Sequence, residues 1–326
     1  RASSASGDEQ FTAPLAAELL SEFMPARVDA LGNIIGENNG TGRNILLDAH
    51  LDCIGMVVTK IEDGGFLRVD RCGGVDIRTL AAHDVEIHGK ETVYGVVTST
   101  PPHLANDGGN AADFDTLMID TGLGEKAKDI ISLGDRVTFK TPYRELLGGN
   151  VSGAYFDDKA GVCAILRCLE ILKENKCNKK VSVLFSAQEE TGGSGAMAAG
   201  FNTDAQEFIS VDVSFAKTAS TPKSVTAALG GGTMIGIAPV LNNGMSSVLQ
   251  MIAKQQKIPY QLEVMGGGTG TNADKIAVSR GGKRAALLSI PLKNMHTPVE
   301  VVNLEDIEAT AQLMAYYIMN NGGVRA

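Results

Sequence analysis

Residues Val181–Gly192 read VSVLFSAQEETG, and this stretch decides the fold. Val181–Ala187 is a short apolar run bounded by turn signals, as a strand buried on both faces should be. It stops at Glu189 and Glu190. The glycines of TGGSG follow, and a small-residue helix is expected near Ser194–Ala199. A buried strand that gives way at once to a helix is the repeating unit of a parallel sheet. In such sheets the strand carboxyl ends share one edge, and ligands bind in the crevice there. Two adjacent carboxylates at that edge repel each other unless something cationic holds them.

The same placement recurs along the chain. His50 ends ILLDAH, Asp157 lies in AYFDDKAG, Asp212 closes FISVD, and His296 follows AALLSIPLKNM. With Glu190 these make five candidate metal ligands at predicted strand ends. Two imidazoles and three carboxylates suit zinc, cobalt or manganese rather than calcium or magnesium. They are too many for one tetrahedral ion with an open position, whereas a pair of ions sharing one carboxylate fits the number. Asp52 lies on the same side of an extended segment as His50. It can therefore reach back to the imidazole, as partners of ligating histidines do. Taken singly, each motif has an ordinary explanation: a loop histidine, a helix cap at Asp157-Asp158, a solvated acidic pair. It is their coincidence at equivalent strand ends that points to a site.

Working outward, strand and helix signals alternate on both flanks. Ala16, Leu19, Leu20 and Phe23 follow helical spacing behind Pro14. Val28–Ile35 and Asn44–His50 read as strands, joined as a hairpin by the turn-rich segment Gly36–Gly40. Ile54–Val58 continues as another strand. A helix after Asp158 carries Val162, Ile165, Leu166, Leu169 and Leu172 on one face. Strand Phe208–Val213, helix Ser246–Gln256, strands Tyr260–Val264 and Ala285–Ile290, and a last helix capped by Asn303 complete the pattern. Between Glu62 and Leu147 the character changes to short strand-like pieces: GGFLRVD, DVEIHG, TVYGVVT, TLMID and DRVTFK. These predict a small β-barrel or sandwich, with a long loop over Thr98–Phe114. The expected fold is therefore α/β, a mixed, mostly parallel sheet flanked by helices. Residues 1–61 and 148–326 are expected to form a discontinuous α/β domain that carries all five candidate ligands, and residues 62–147 an inserted β-barrel domain. His83, His88 and His103 lie in that insert and read as surface or loop histidines, with His103 the nearest to a pocket.

Composition narrows the function. The chain has 326 residues with 44% hydrophobic and 21% charged, ordinary values for a globular protein. A net charge of −9 disfavours nucleic-acid binding, which calls for a basic face. No apolar run approaches the roughly 18 residues of a membrane span. The opening RASSASGDEQ lacks the apolar stretch of a signal peptide. The five cysteines form no CxxC pair and read as free thiols in a reducing, cytoplasmic setting.

The order HxD (His50–Asp52), DDK (Asp157–Lys159), QEE (Gln188–Glu190), VDV (Val211–Val213) and MH (Met295–His296) resembles the tetrahedral metallo-aminopeptidases of clan MH. In that family too a β-rich block follows the HxD strand. Its members carry the labels glutamyl aminopeptidase, deblocking aminopeptidase and endoglucanase. GGGTGTNAD, residues 266–274, resembles the family's glycine- and threonine-rich segment beside the substrate pocket. The resemblance covers nearly the whole chain. It implies a phosphorylase/hydrolase-like fold and two divalent metal ions per subunit, zinc or cobalt first and manganese after them. His50 and Asp212 would hold one ion, Glu190 and His296 the other, with Asp157 bridging. Glu189 would be the general base, and Asp52 would orient His50. The implied activity is removal of N-terminal residues from short peptides by water that two metals activate. The implied assembly is a homo-oligomer, with dimers made through the inserted block and six dimers closing into a tetrahedral dodecamer. Two departures stand out: Lys159 where many relatives carry arginine, and Cys53 where many carry glutamate.

Three other readings fit these residues less well. A two-metal carboxypeptidase or deacylase needs a cation for the substrate carboxylate, for which Lys217, Lys293 and Arg284 are available. A glycosidase needs two carboxyls roughly 5–9.5 Å apart across a sugar, unlike adjacent Glu189 and Glu190, and this chain has no Trp to stack on one. A non-catalytic scaffold would have no reason to keep every ligand together with Glu189.

Overall fold

The computed structural model describes residues 4–100, 103–104, 113–222 and 224–320. Among these residues the architecture is a large mixed sheet with helices on both faces and a separate closed barrel. Four strands form the parallel heart of the sheet, in the order Lys179–Ser186, Thr41–His50, Glu207–Phe215 and Arg284–Lys293. They are buried over nearly their whole length, which explains their continuous apolar character. Successive side chains point to opposite faces. Ile45, Leu47 and Ala49 pack under helices Phe156–Glu174, Asn243–Gln256 and Leu304–Met319. Leu46 packs on the other side, under helices Ser194–Asn202 and Asn272–Ala277. Asn303 caps the last helix by accepting from the Glu305 amide at 2.9 Å.

The expected hairpin across Gly36–Gly40 does not form. Chain reversal happens earlier, where the Asp29 carboxylate accepts from the amides of Leu31 and Asn33. The run read as one strand is therefore two, Ala26–Val28 and Ile34–Glu37, paired antiparallel. Ile34–Glu37 then lies beside Lys179–Ser186, which separates it from Thr41–His50. Asn38 fixes this arrangement by bonding the Lys179 carbonyl at 2.9 Å and the Val181 amide at 2.8 Å. Strands Thr233–Ile237 and Glu300–Asn303, which the sequence reading did not anticipate, extend the sheet beside Arg284–Lys293.

The inserted block is a barrel. Its strands run Gly55–Ile61, Leu67–Cys72, Met118–Asp120, Thr92–Val97, Asp84–His88 and Arg136–Phe139, and the last pairs with the first. All neighbours are antiparallel. Met56, Val58, Leu67, Val69, Val85, Ile87, Ile119 and Val137 fill it. The barrel takes in the strand Gly55–Ile61, so it opens before the Glu62 boundary drawn from sequence. Closure leaves this barrel no open strand edge, so only its faces are available for self-association. Of the loop expected over Thr98–Phe114, residues 101–102 and 105–112 lie outside the described residues.

Candidate metal centre

Each of the five candidate ligands reaches one cleft of about 710 Å³, which opens at the carboxyl edge of the parallel strands. His50 ends its strand with the ring fixed at both nitrogens. Nδ1 lies 3.0 Å from the Asp52 carbonyl and 3.6 Å from the Asp52 carboxylate. Nε2 lies 2.9 Å from Oδ1 of Asp157 and 3.9 Å from Asp212. The other oxygen of Asp157 lies 3.4 Å from Nε2 of His296, which is in turn 3.5 Å from Glu190. Two groups of possible ligand atoms result, each within 4.8 Å: His50, Asp157 and Asp212, and Asp157, Glu190 and His296. Asp157 belongs to both.

The electrostatics are those of a site short of positive charge. Burial pushes the carboxyls of Asp212 and Asp158 well above their ordinary values and that of Glu190 up to about 8. Glu189 is pushed up by burial in the same way. Asp157 goes the other way: burial opposes ionisation, but hydrogen bonds from His296 and His50 more than offset it. Burial likewise pulls both imidazoles down. Asp157 and Asp52 outweigh it at His50, and Asp157 and Glu190 lift His296 to about 9. Oε1 of Glu190 is buried without a hydrogen-bond partner. Crowded anions, an orphaned carboxylate oxygen and two imidazoles facing one carboxylate are a donor set that divalent cations satisfy.

The surroundings hold these groups in place. The two oxygens of Asp52 accept from the amides of Glu189, at 3.0 Å, and Glu190, at 3.1 Å. Asp158 accepts from the His50 amide at 3.3 Å and caps its helix through Gly161 at 2.9 Å. The Asp157–Asp158 peptide is cis. Glu189 lines the cleft but belongs to neither ligand group. Gly268, Thr269, Gly270, Thr271 and Asp274 line the far wall, where Asp274 ties the loop through the amides of Thr269 and Gly270.

Sequence reasoning missed Glu300, whose Oε2 accepts from the amides of Phe156 and Asp157. The signal was present: PVEVV sets a carboxylate inside an apolar run, as FISVDV does for Asp212. Cys53 stands apart from the ligands. Its thiol, which burial pushes up to about 12, donates to the Ser4 carbonyl. His83 and His88 bond Thr141 and Thr138, and His103 is exposed. Of the cations considered for a carboxylate-reading enzyme, Arg284 pairs with Glu207 at the opposite strand end. Neither Lys217 nor Lys293 lines the cleft, whereas Lys275 does.

The profile of the M42 glutamyl aminopeptidases matches residues 32–313. The chain belongs to the M42 glutamyl aminopeptidase family. It is 32% identical over 294 residues to the lysyl aminopeptidase of Pyrococcus furiosus, an alignment covering 88% of this chain and 84% of that one. The structure of an aminopeptidase from Desulfurococcus kamchatkensis superposes with a TM-score of 0.91 at 32% identity, over 97% of this chain and 91% of that chain. The TET1 peptidase of Pyrococcus horikoshii, which can assemble into a tetrahedron or a large octahedral shell, superposes with a TM-score of 0.85 at 30% identity. That match covers 97% of this chain and 95% of the other. This M42 protein is thus a peptide hydrolase of the aminopeptidase type, on a mixed α/β fold with an inserted barrel. Among its described residues no helix is long and apolar enough to cross a membrane.

Proposed function

We propose that this M42 aminopeptidase removes N-terminal residues from short peptides with two divalent ions per subunit, zinc or cobalt, with manganese a third candidate. The observation that carries the reading is Asp157, whose two carboxylate oxygens face different imidazoles and belong to two separate ligand groups. His50 and Asp212 would hold one ion, His296 and Glu190 the other, and Asp157 both. Bound there, such ions lower the pKa of water to near 7 and polarise an amide carbonyl.

The remaining work falls to the protein. Glu189 stands in the cleft on a turn that Asp52 fixes, with burial holding its carboxyl above the ordinary range. Glu189 accepts the proton of the attacking water as the carbon–oxygen bond forms. It then delivers that proton to the leaving nitrogen as the carbon–nitrogen bond breaks. A free amino acid and a shortened peptide with a new α-amino group result. Asp52, through its carbonyl and carboxylate, sets the orientation of the His50 ring. The acidic lining of the cleft, including Glu263, favours a protonated N-terminus over a C-terminal carboxylate.

The barrel is assigned to self-association through dimers, and the dodecamer and tetrahedron of the Pyrococcus horikoshii relative support a homo-oligomer of that kind. The two parts are read as a catalytic domain, residues 1–61 and 148–326, and an inserted domain, residues 62–147, with the first junction moved back to Gly55 by strand pairing. Five free thiols support a reducing, cytoplasmic setting. The test is a panel of aminoacyl chromogenic substrates, free or N-acetylated, assayed with zinc, cobalt and manganese after chelation. Metal-restored turnover of the free amines alone is expected. Faster release of the chromophore from the acetylated set would sink the reading in favour of an amidohydrolase that needs no free amine, and release of acetate without chromophore would favour a deacylase.

A further inference from the structure

The turn that carries Glu189 is anchored from outside its own strand at four successive residues. Asp52 takes the amides of Glu189 and Glu190. The flanking anchors come from the N-terminal segment. The amide of Gln188 donates to Oε1 of Glu9 at 3.0 Å, and Oγ1 of Thr191 lies 2.8 Å from Oγ of Ser6.

This segment is part of the interior rather than a loose end. Ser4, Ala5, Ser6 and Glu9 are each no more than 5% exposed. The segment is bonded to the chain just beyond His50: the Cys53 amide donates to the Ser4 carbonyl, and the Ser6 amide to the Cys53 carbonyl, both at 3.0 Å. The Cys53 thiol adds a third bond to the Ser4 carbonyl at 2.9 Å. A buried carboxylate is costly unless it is hydrogen-bonded, and Glu9 spends one oxygen on two amides, those of Gly7 and Gln188. Gln188 needs such an anchor. Its φ is +59°, in the left-handed region that a residue with a Cβ leaves unless its surroundings hold it.

We propose that Glu9 is a positioning residue for the general base. Its carboxylate fixes the Gln188 amide. With Ser6 on Thr191 it brackets Glu189, so that the base's carboxylate is presented to the cleft in one orientation. The proposal rests on the reading of Glu189 as the base.

The test compares full-length Glu9→Ala, Glu9→Gln and Ser6→Ala, metal-loaded, with wild type. The readouts are turnover of the best aminoacyl chromogenic substrate, metal content, and amide hydrogen exchange over residues 186–192. Glu9→Ala is expected to lower kcat about 10–100-fold, the scale of a misplaced catalytic group, with KM within about two-fold. Metal content should hold, and exchange in the turn should quicken. Glu9→Gln keeps an acceptor oxygen and should restore both kcat and slow exchange. Ser6→Ala should lose kcat in the same way but less.

A Glu9→Ala enzyme with wild-type kcat or unchanged exchange would overturn the proposal. So would failure of Glu9→Gln to rescue, or a fall in metal content that matches the fall in turnover. Should Glu9→Ala not fold, Ser6→Ala decides on the same readouts. A wild-type protein without aminopeptidase activity would count against the catalytic reading instead, and hydrogen exchange would still decide whether Glu9 clamps the turn.

Discussion

Glu300 holds the main chain of Asp157: one oxygen, Oε2, accepts from the Asp157 amide at 3.2 Å and from the preceding Phe156 amide at 2.7 Å. Burial pushes the Glu300 carboxyl up to about 8, so the group sits at a cost that its two amides only partly offset. The proposed bridging role of Asp157 therefore depends on a residue that belongs to neither ligand group. Glu300→Ala should weaken metal binding about 10–100-fold, the usual loss for such a supporting partner. Competition with a fluorescent chelator measures this, and Glu300→Gln, which keeps an acceptor oxygen, should lose far less.

Asp157→Asn should harm both ions together. The wild type should take up about two ions per chain at saturation, as a two-metal site requires. The variant should lose both at the same chelator concentration, and its kcat/KM should fall by more than the roughly 10–100-fold that loss of a supporting residue brings. Independent loss of a single ion, with the other unaffected, would remove the bridging role.

Glu189→Gln keeps size and removes the proposed base. Turnover should drop about 10²–10⁴-fold, the range that general acid–base catalysis supplies. Metal content should stay at the wild-type level. A variant within a few-fold of wild-type turnover would mean that another group carries the proton.

Far from the cleft, Asp306 is buried in the first turn of the last helix and accepts from the amides of Gly230 and Gly232. Burial raises its carboxyl from 3.8 to about 6. The folded protein thus binds this proton more tightly than the unfolded chain does. The stability contributed is fully present below about pH 4 and is lost as pH rises to about 6. Across that window wild type should lose up to about 3 kcal/mol relative to Asp306→Asn, as a pKa moved that far implies. Urea unfolding of both proteins at the two ends of the window reads the difference, and parallel pH slopes would contradict it.

Light scattering on the intact protein tests the assembly. The expected masses are those of a dimer or a dodecamer. A strictly monomeric, fully active protein at micromolar concentration would refute both.

That the five candidate ligands converge on one cleft was legible in the sequence; several pairings of the fold around it were not. His50, Glu190 and His296 each follow an apolar strand and Asp212 lies inside one, and parallel strands leave their ends on one edge; Asp157 follows only the short, mostly polar Asn150–Gly153 and stood out by its acidic pair before a helix. Glu300 escaped because its strand is only Glu300–Asn303, too short to announce itself, although its carboxylate carried the same signal as Asp212. Glu9 was illegible for another reason: its partner, the Gln188 amide, is a backbone group that no sequence motif marks. The hairpin misreading at Gly36–Gly40 has a similar root. Glycine and asparagine report that the chain turns, but not which distant strand will enter between the two that flank the turn. Here the insertion of Lys179–Ser186 was decided by Asn38. Barrel closure was likewise set by a long-range pairing, Met56 with Val137 and Val57 with Arg136, which local patterns leave open.

The barrel leaves the sheet at Gly55, just after His50 and Asp52, and the chain returns through Asn150–Gly153, just before Asp157. Both seams of the insertion therefore run through segments that carry candidate ligands. A trimmed enzyme with the barrel excised would splice the His50 segment directly onto the Asp157 segment, and the length of that splice would dictate how far apart the two side chains stand. The insert is a module by its fold but not by its joints, and grafting a different barrel into this frame means rebuilding the centre at the same time.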